Sequence, residues 1–120
     1  MGDHAVAGSD TVTSVYEAVL SEQLRDVGVE TVGQYRFIPG RRYRADLAIP
    51  EHHLIIEVDG GLWMRGGRGG GHNAPLGYEH DRRRDNLAVV NGCWVLRFTP
   101  GMIASGEAAE TVKKFLEQRR

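Results

Sequence analysis

The sequence predicts an α/β (α+β) fold in which helices cover a mixed central sheet, in the order α-β-β-β-α-β with a C-terminal helix. Three observations predict this order. Apolar residues recur at helical spacing near the start of the chain, three short apolar segments then resemble strands, and a helix, a strand and a helix follow a glycine-rich stretch. The length of 120 residues fits a single domain, 1–120.

The first helix is predicted from apolar residues that recur every three or four positions between residues 12 and 27. This spacing places them on one face of a helix, which we expect to be buried. Gly28 follows directly and is typical of a helix C-terminus. The residues of this stripe are Val12, Val15, Tyr16, Val19, Leu20, Leu24 and Val27.

Three strands are predicted next, over residues 34–38, 43–49 and 54–59, because these segments are rich in β-branched, aromatic and other apolar residues. Pro39-Gly40 provides a turn between the first two strands, and the polar break 50–53 separates the last two. Connections this short join antiparallel neighbours, so we expect a meander.

The remaining elements surround a second helix and a fourth strand. Residues 60–77 contain so many glycines that an irregular loop is predicted. Residues 78–90 then have the pattern of a helix and residues 93–98 that of a strand, which Thr99-Pro100-Gly101 is expected to stop. A last helix is predicted over residues 107–118.

The composition excludes several classes of protein. With 41% apolar and 26% charged residues, the chain resembles neither a disordered nor a fibrous protein. No apolar run is long enough to cross a bilayer, and the first residues lack the pattern of a signal peptide, so we expect a cytoplasmic protein without a membrane partner. The single cysteine, Cys93, excludes an internal disulfide and favours a packing role.

The net charge of −1 conceals an uneven distribution. Residues 1–35 carry an excess of acids, whereas all ten basic residues between 36 and 97 are arginines. The planar guanidinium binds phosphate in a bidentate manner, so this segment suits nucleic acid as well as it suits a solvated surface.

Three carboxylates are predicted to converge on the second and third strands. If residues 50–53 form a four-residue loop, Asp46 lies opposite Glu57, and Asp59 shares the face of Glu57 because side chains alternate along a strand. Such close like charges destabilise a sheet unless a cation compensates them, and oxygen ligands suit Mg²⁺ or Mn²⁺. The opposite face is then apolar, with Leu47, Ile49, Leu54, Ile56 and Val58.

An alternative is that these acids simply form ion pairs with Arg36 or Arg44 at the surface. The context favours the metal site, because Glu57 and Asp59 lie in a strand of buried character and the glycines 60–61 that follow allow a ligand to approach the backbone.

Several segments, taken in order, carry a resemblance to a known family. They are Arg44-Ala45-Asp46-Leu47, Leu54-Ile55-Ile56-Glu57-Val58-Asp59-Gly60-Gly61, His72, Tyr78-Glu79-His80-Asp81-Arg82-Arg83-Arg84-Asp85-Asn86 and Gly92-Cys93-Trp94-Val95-Leu96-Arg97-Phe98-Thr99. The set resembles the PD-(D/E)XK nuclease superfamily, and within it the Vsr-like branch of small phage and mobile-element endonucleases with an E-D-x-H-D motif. The resemblance covers about residues 14–118 and implies a restriction-endonuclease-like core.

The resemblance implies a role for each residue that matches the motif. Its E falls on Glu17, its central Asp on Asp46, and its H and final D on His72 and Asp81. In the family the variable position, near Val58 here, can offer a backbone carbonyl to the metal. The implied catalytic set is Glu17, Asp46, Glu57, His72 and Asp81, and the implied metal set is Asp46, Glu57, Val58 and Asp59.

Two points of this assignment stay open in the sequence. Glu22 flanks the buried face of the first helix as Glu17 does, so the helical pattern does not choose between them. The lysine that the wider superfamily has two positions after Glu57 is Asp59 here, which transfers the acid–base role to His72. Rival histidines are His52, His53 and His80.

The expected partner is DNA, held by arginines on its phosphates and by one aromatic residue on its bases. The candidate DNA-binding residues are Arg42, Arg44, Trp63, Arg65, Arg68, Arg82, Arg83 and Arg84.

The sequence therefore predicts a DNA endonuclease that uses Mg²⁺ or Mn²⁺ and an activated water, in a bacterial cell or a phage-infected host. A homodimer is expected if one assembly cuts both strands. Two alternatives are a nuclease specific for Holliday junctions or other DNA structures, and a catalytically inactive DNA-binding module with a nuclease fold.

Overall fold

The computed structural model describes residues 8–59 and 69–119, and the side chains within 15–59 and 77–119. Its elements are α1 (Gly8–Arg25), β1 (Val32–Arg36), β2 (Arg44–Ile49), a 3₁₀ turn (Pro50–His52), β3 (Leu54–Val58), α2 (Gly69–Val90), β4 (Trp94–Phe98), α3 (Pro100–Ala104) and α4 (Glu107–Gln118). The predicted mixed α+β class and the C-terminal helix are confirmed.

The four strands form one mixed sheet in the order β1-β2-β3-β4. The first three pair antiparallel, whereas β4 pairs parallel with β3 after the chain crosses over through α2. The partners Leu47↔Ile56 and Ile49↔Leu54 confirm the predicted register across the 50–53 connection. The ladder ends at Leu47↔Ile56, and Asp46 and Glu57 are the residues that follow this last pair on the two strands.

Helices cover both faces of this sheet. On one face α1, α3 and α4 bury the five apolar residues predicted to share a side, packed around Leu20, Leu24 and Ile103. On the other face α2 packs through Ala88 against Ala48 and Ile55. The predicted stripe is only partly buried, because Val15 is exposed on α1 and Val27 is exposed in the turn after the helix ends at Arg25.

The β1–β2 hairpin differs from the prediction in its first strand. The strand spans Val32–Arg36 instead of 34–38. Phe37 and Ile38 leave the sheet and are buried in the second core, which removes their apolar side chains from water. Gly40 has a φ of +79° in the turn that follows, a conformation that glycine adopts without strain.

The prediction of an irregular loop over 60–77 is wrong for residues 69–77, which continue α2 toward its N-terminus. The C-terminal half of α2 is anchored on the sheet by Ala88. Extending an existing helix requires no new nucleus, so this extension overrides the poor helix propensity of glycine.

The segment predicted only to stop β4 instead begins the short helix α3. The side chain of Thr99 caps it by accepting a hydrogen bond from the Met102 backbone N–H at 3.3 Å, and Pro100 takes the first helical position. Helix α4 has the predicted bounds. Of the described helices, none combines the length and apolar character that crossing a bilayer requires.

Candidate active site

Three carboxyl groups meet where α1, β2 and β3 approach one another. They belong to Glu17, Asp46 and Glu57, and each pair of them interacts electrostatically. The side chain of Asp46 is held against β3, since its Oδ2 accepts a hydrogen bond from the Val58 backbone N–H at 2.7 Å. We call Glu17, Asp46 and Glu57 the carboxylate cluster.

Burial and mutual repulsion make the carboxylate cluster difficult to ionise fully. Glu57 is 3% exposed, and its burial, together with the charge of Asp46, raises its pKa to about 8 although Arg84 and Arg97 oppose the shift. The pKa of Glu17 is also raised to about 8 by burial, the charge of Asp46 and a hydrogen bond with Asp46, while Gln34 opposes the shift. A protein that buries acids this way has a strong electrostatic demand for a cation.

An arginine meets part of that demand. The Nη2 atom of Arg84 lies 3.4 Å from Oε2 of Glu57, while the buried Nε of Arg84 has no hydrogen-bond partner among the described residues. Its guanidinium also lies 5.9 Å from the ring centroid of Tyr43. Arg84 therefore holds Glu57 with one end of its guanidinium and leaves the other end unsatisfied.

Asp59 belongs to a different group from the one the strand pattern predicted. Its Oδ1 accepts a hydrogen bond from Arg97 at 2.7 Å, and the same guanidinium donates to both oxygens of Asp85 at 2.6 and 3.1 Å. Burial raises the pKa of Asp59, with Asp81 and Asp85 adding to the shift and Arg97 opposing it. The third carboxylate beside Asp46 is thus Glu17, from α1, rather than Asp59.

Arg97 connects the two groups. It lies in register with Glu57 across the parallel β3–β4 pair. Burial by itself would lower the pKa of this guanidinium, but the hydrogen bond with Asp85 and the charges of Asp59, Asp85 and Asp81 raise it above its usual value. Arg97 is therefore a permanent cation beside the carboxylate cluster.

Gln34 is the strained residue of the site. Its φ is +48°, in the left-handed region that non-glycine residues rarely occupy, although β1 continues on both sides of it. It lies between the pairs Gly33↔Leu47 and Tyr35↔Ala45 of the β1–β2 ladder, and its Nε2 donates to Oε1 of Glu17 at 3.4 Å. The backbone strain thus accompanies a contact with the carboxylate cluster.

The structure distinguishes between the residues that the sequence left as alternatives in α1. Glu22 is exposed and forms an ion pair with Arg25 at 2.9 Å, whereas Glu17 contacts Asp46. Two histidines are also accounted for: His52 lies at the outer end of the hairpin beside Glu51, and His80 packs edge-to-face on Tyr43 with centroids 6.2 Å apart.

The motif residues that follow β3 are described only in part. The backbone of His72 lies in α2 instead of a loop, and its side chain is outside the described residues. Asp81 lies on the same helix and is close enough to Asp59 and Arg97 to affect their pKa values. Trp63, Arg65 and Arg68 lie outside the described residues.

The arginines predicted to bind DNA fall into two sets. On α2, Arg83 is held by Glu79 at 2.6 Å, and Arg82 lies 3.5 Å from Asp85 with its guanidinium over Tyr78. Arg42 and Arg44 are exposed near the β1–β2 turn. The helix arginines therefore already have acidic partners, and the hairpin arginines have none within the described ranges.

The fit of a divalent cation depends on the carboxylate cluster. Within residues 15–59 and 77–119, no three His, Cys, Asp or Glu side chains are arranged as a ready metal site. The donor chemistry nonetheless fits Mg²⁺ or Mn²⁺, since three hard oxygen donors meet with a charge that two arginines only partly compensate. Ligation of an ion by Glu57 would require Arg84 to release this carboxylate, because the two groups lie 3.4 Å apart.

Sequence reasoning missed Gln34 and Arg97. Arg97 could have been found from the parallel register of β3 and β4, which sets it beside Glu57. No sequence signal indicates the left-handed backbone of Gln34. Cys93 packs beside the second core, and burial raises the pKa of its thiol.

Comparison with known proteins adds no relative: no family model, no curated protein and no solved structure matches this chain.

Proposed function

We propose that this protein is a divalent-metal-dependent DNA endonuclease that hydrolyses phosphodiester bonds, with a restriction-endonuclease-like core of the Vsr-like type. The observation that carries the proposal is the carboxylate cluster, in which the buried Glu57 and the half-buried Glu17 and Asp46 come together from three separate elements. Structural ion pairs do not require three acids to meet, because repulsion between them costs stability.

The topology supports the same proposal. The antiparallel β1–β2–β3 meander, the crossover through α2 and the parallel β4 follow the order of the core that the resemblance implies. The motif residues Glu17 and Asp46 lie on α1 and β2, far apart in sequence and in contact in the fold.

We assign Asp46 and Glu57 to hold the cation, with Glu17 beside them. When bound, Mg²⁺ or Mn²⁺ neutralises charge on the phosphate and lowers the pKa of the attacking water. Gln34 orients Glu17 through its amide, and the Val58 backbone N–H orients Asp46. His72 is proposed to accept the proton of the water, with Asp81 as an acid on the same helix.

A supercoiled-plasmid nicking assay tests this proposal. We expect nicking in Mg²⁺ or Mn²⁺, none in EDTA, and a loss of at least about 100-fold in Asp46→Asn or His72→Ala, the usual scale for a lost metal ligand or general base. Glu17→Gln and Glu22→Gln form a matched pair on one helix, of which only the first should lose activity. Nicking that survives Asp46→Asn would contradict the assignment.

One observation favours a second candidate function, a catalytically inactive nuclease-fold module that binds DNA. The ion pair between Arg84 and Glu57 neutralises a carboxylate that catalysis would need for the metal. This candidate predicts DNA binding that is indifferent to Asp46→Asn and no nicking with either metal. The nicking and binding assays together therefore separate the two functions.

A further inference from the structure

The arginines of the described residues differ in whether a carboxylate lies beside them. Those on α1, α2 and β4 each have a carboxylate oxygen within 3.5 Å: Arg25, Arg82, Arg83, Arg84 and Arg97. The four arginines between residues 36 and 44 have no such partner in residues 15–59 and 77–119. Within those ranges Arg119 also has no carboxylate partner and instead lies over Trp94 and Phe115, so four of the five arginines without one lie at the β1–β2 hairpin.

Within the hairpin, two of these arginines face one another. Arg36 and Arg44 are direct partners in the antiparallel β1–β2 ladder, and both are exposed. Opposed side chains project to the same side of a sheet with Cβ atoms about 4.5–5.5 Å apart, and like charges in this relation are destabilising. The Arg36–Arg44 pair therefore does not stabilise the free protein. An anion bound between the two guanidinium groups would remove the repulsion between them.

The pair also lies at a useful distance from the carboxylate cluster. Arg44 precedes Asp46 by two residues on β2, which corresponds to about 7 Å along a strand. This is comparable with the step between neighbouring phosphates of a nucleic-acid strand. A DNA strand that has its reacting phosphate at the carboxylate cluster can therefore place the adjacent phosphate at Arg36 and Arg44.

The surface around the turn extends the same positive region. Arg36, Arg41 and Arg42 line a cavity together with Tyr35, Phe37 and Gly40. The guanidinium of Arg41 lies 5.7 Å from the ring centroid of Tyr43. Planar guanidinium groups bind phosphate oxygens, and an aromatic ring can stack on a base. This surface therefore suits a nucleic-acid strand as its ligand.

We propose that Arg36 and Arg44 form a clamp that binds one phosphate of the DNA strand, adjacent to the phosphate at the carboxylate cluster. This inference rests on the proposed function for its substrate class and adds the path that the strand takes, over the β1–β2 hairpin. The paired arginines of α2 are not needed for this contact. Arg36 is thereby assigned a substrate-binding role.

DNA binding in EDTA tests the clamp without any cleavage. Fluorescence anisotropy with a short labelled duplex is measured from about 0.05 to about 0.3 M salt for wild type, Arg36→Gln, Arg44→Gln and the double variant. Losing one phosphate contact should flatten the log–log salt slope by about 0.9 and weaken binding about 8-fold at 0.1 M salt. We expect the double variant to lose about this amount, and less than the product of the two single losses.

Arg25→Gln is the matched control, because Arg25 is an exposed arginine that is already paired with Glu22. It should bind DNA as wild type does. Binding of the double variant equal to wild type, or losses that multiply because the two residues contact separate phosphates, would overturn the clamp. If poly-glutamate displaced the labelled duplex as well as unlabelled DNA does, the clamp would bind anions in general and phosphate would not be its specific ligand.

Thermal melting without DNA separates binding from a structural role. Relief of like-charge repulsion should leave the Tm of each single variant equal to or above that of wild type, whereas a lower Tm in both would overturn the inference. The nicking assay keeps the two proposals distinct. If binding depends on Arg36 and Arg44 but no nicking occurs, the clamp is supported and the endonuclease proposal is wrong. If nicking occurs but binding does not depend on these arginines, the endonuclease is supported and the clamp is wrong.

Discussion

Glu57 should make the stability of this protein depend on pH in a direction opposite to that of an ordinary surface acid. In the folded protein its pKa is raised from 4.5 to about 8 by burial and by Asp46. When unfolded it ionises near its ordinary pKa, so folding takes up a proton between these values. The stability that the neutral group confers is present below pH 4.5 and is lost as pH rises toward about 8.

The magnitude follows from this interval. One pKa unit corresponds to about 1.4 kcal/mol, so the interval sets an upper limit of about 5 kcal/mol for one isolated group. Because Glu57 shares Asp46 with Glu17, we expect about half of that limit to be observed. Glu57→Gln cannot ionise, so the variant should gain stability relative to wild type by about 1–2 kcal/mol between pH 5.5 and pH 7.5, which is half of the full one-proton effect over two pH units.

Urea denaturation in EDTA at several pH values, followed by tryptophan fluorescence, measures this difference. The m value should stay constant, so that midpoints report stability. Glu79→Gln is the matched control: it removes an exposed glutamate on α2 that pairs with Arg83, and should change stability by less than about 0.5 kcal/mol at every pH. Parallel pH profiles for wild type and Glu57→Gln would refute the reasoning, since they would mean that Arg84 and Arg97 keep Glu57 ionised.

Three further variants address the cations and the strained residue around the carboxylate cluster. Arg84→Gln should raise Mn²⁺ affinity in calorimetry, because it removes the cation that competes for Glu57; weaker binding would instead make Arg84 part of the site. Gln34→Gly should raise the free energy of unfolding by about 1 kcal/mol in urea by relieving the left-handed backbone, while nicking falls because Glu17 loses its donor; unchanged nicking would exclude that positioning role. Arg97→Met should cost about 3–5 kcal/mol in the same urea experiment, because two partly buried acids lose their partner, and a neutral effect would contradict the network.

The spacing of apolar residues was sufficient to predict the helices and strands that pack along one regular face. The register of β2 and β3 follows from one loop length and strict alternation, and the pairs from Leu47↔Ile56 to Ile49↔Leu54 confirm it. The boundaries that failed lie where tertiary contacts compete with pattern. Phe37 and Ile38 left the predicted strand for a second core, and residues 69–77 joined α2.

The candidate site was predictable only in part, for a similar reason. The hairpin register correctly predicted that Asp46 and Glu57 lie close enough to interact. Alternation along β3 then added Asp59 to them, and this addition was wrong. The choice of Arg97 as the partner of Asp59 depends on which strand lies beside β3, a relation that sequence alternation does not contain. The proximity of Glu17 likewise depends on how α1 crosses the sheet.

By itself the sequence determined the mixed α+β class, the hairpin register and the apolar face of the sheet, because each follows from side-chain periodicity over a few residues. Only the tertiary structure decided which acids meet, which arginines neutralise them and which remain unpaired at the hairpin. Those outcomes are set by long-range packing and by the electrostatic cost of burying charge, and neither quantity can be read from the spacing of residues along the chain.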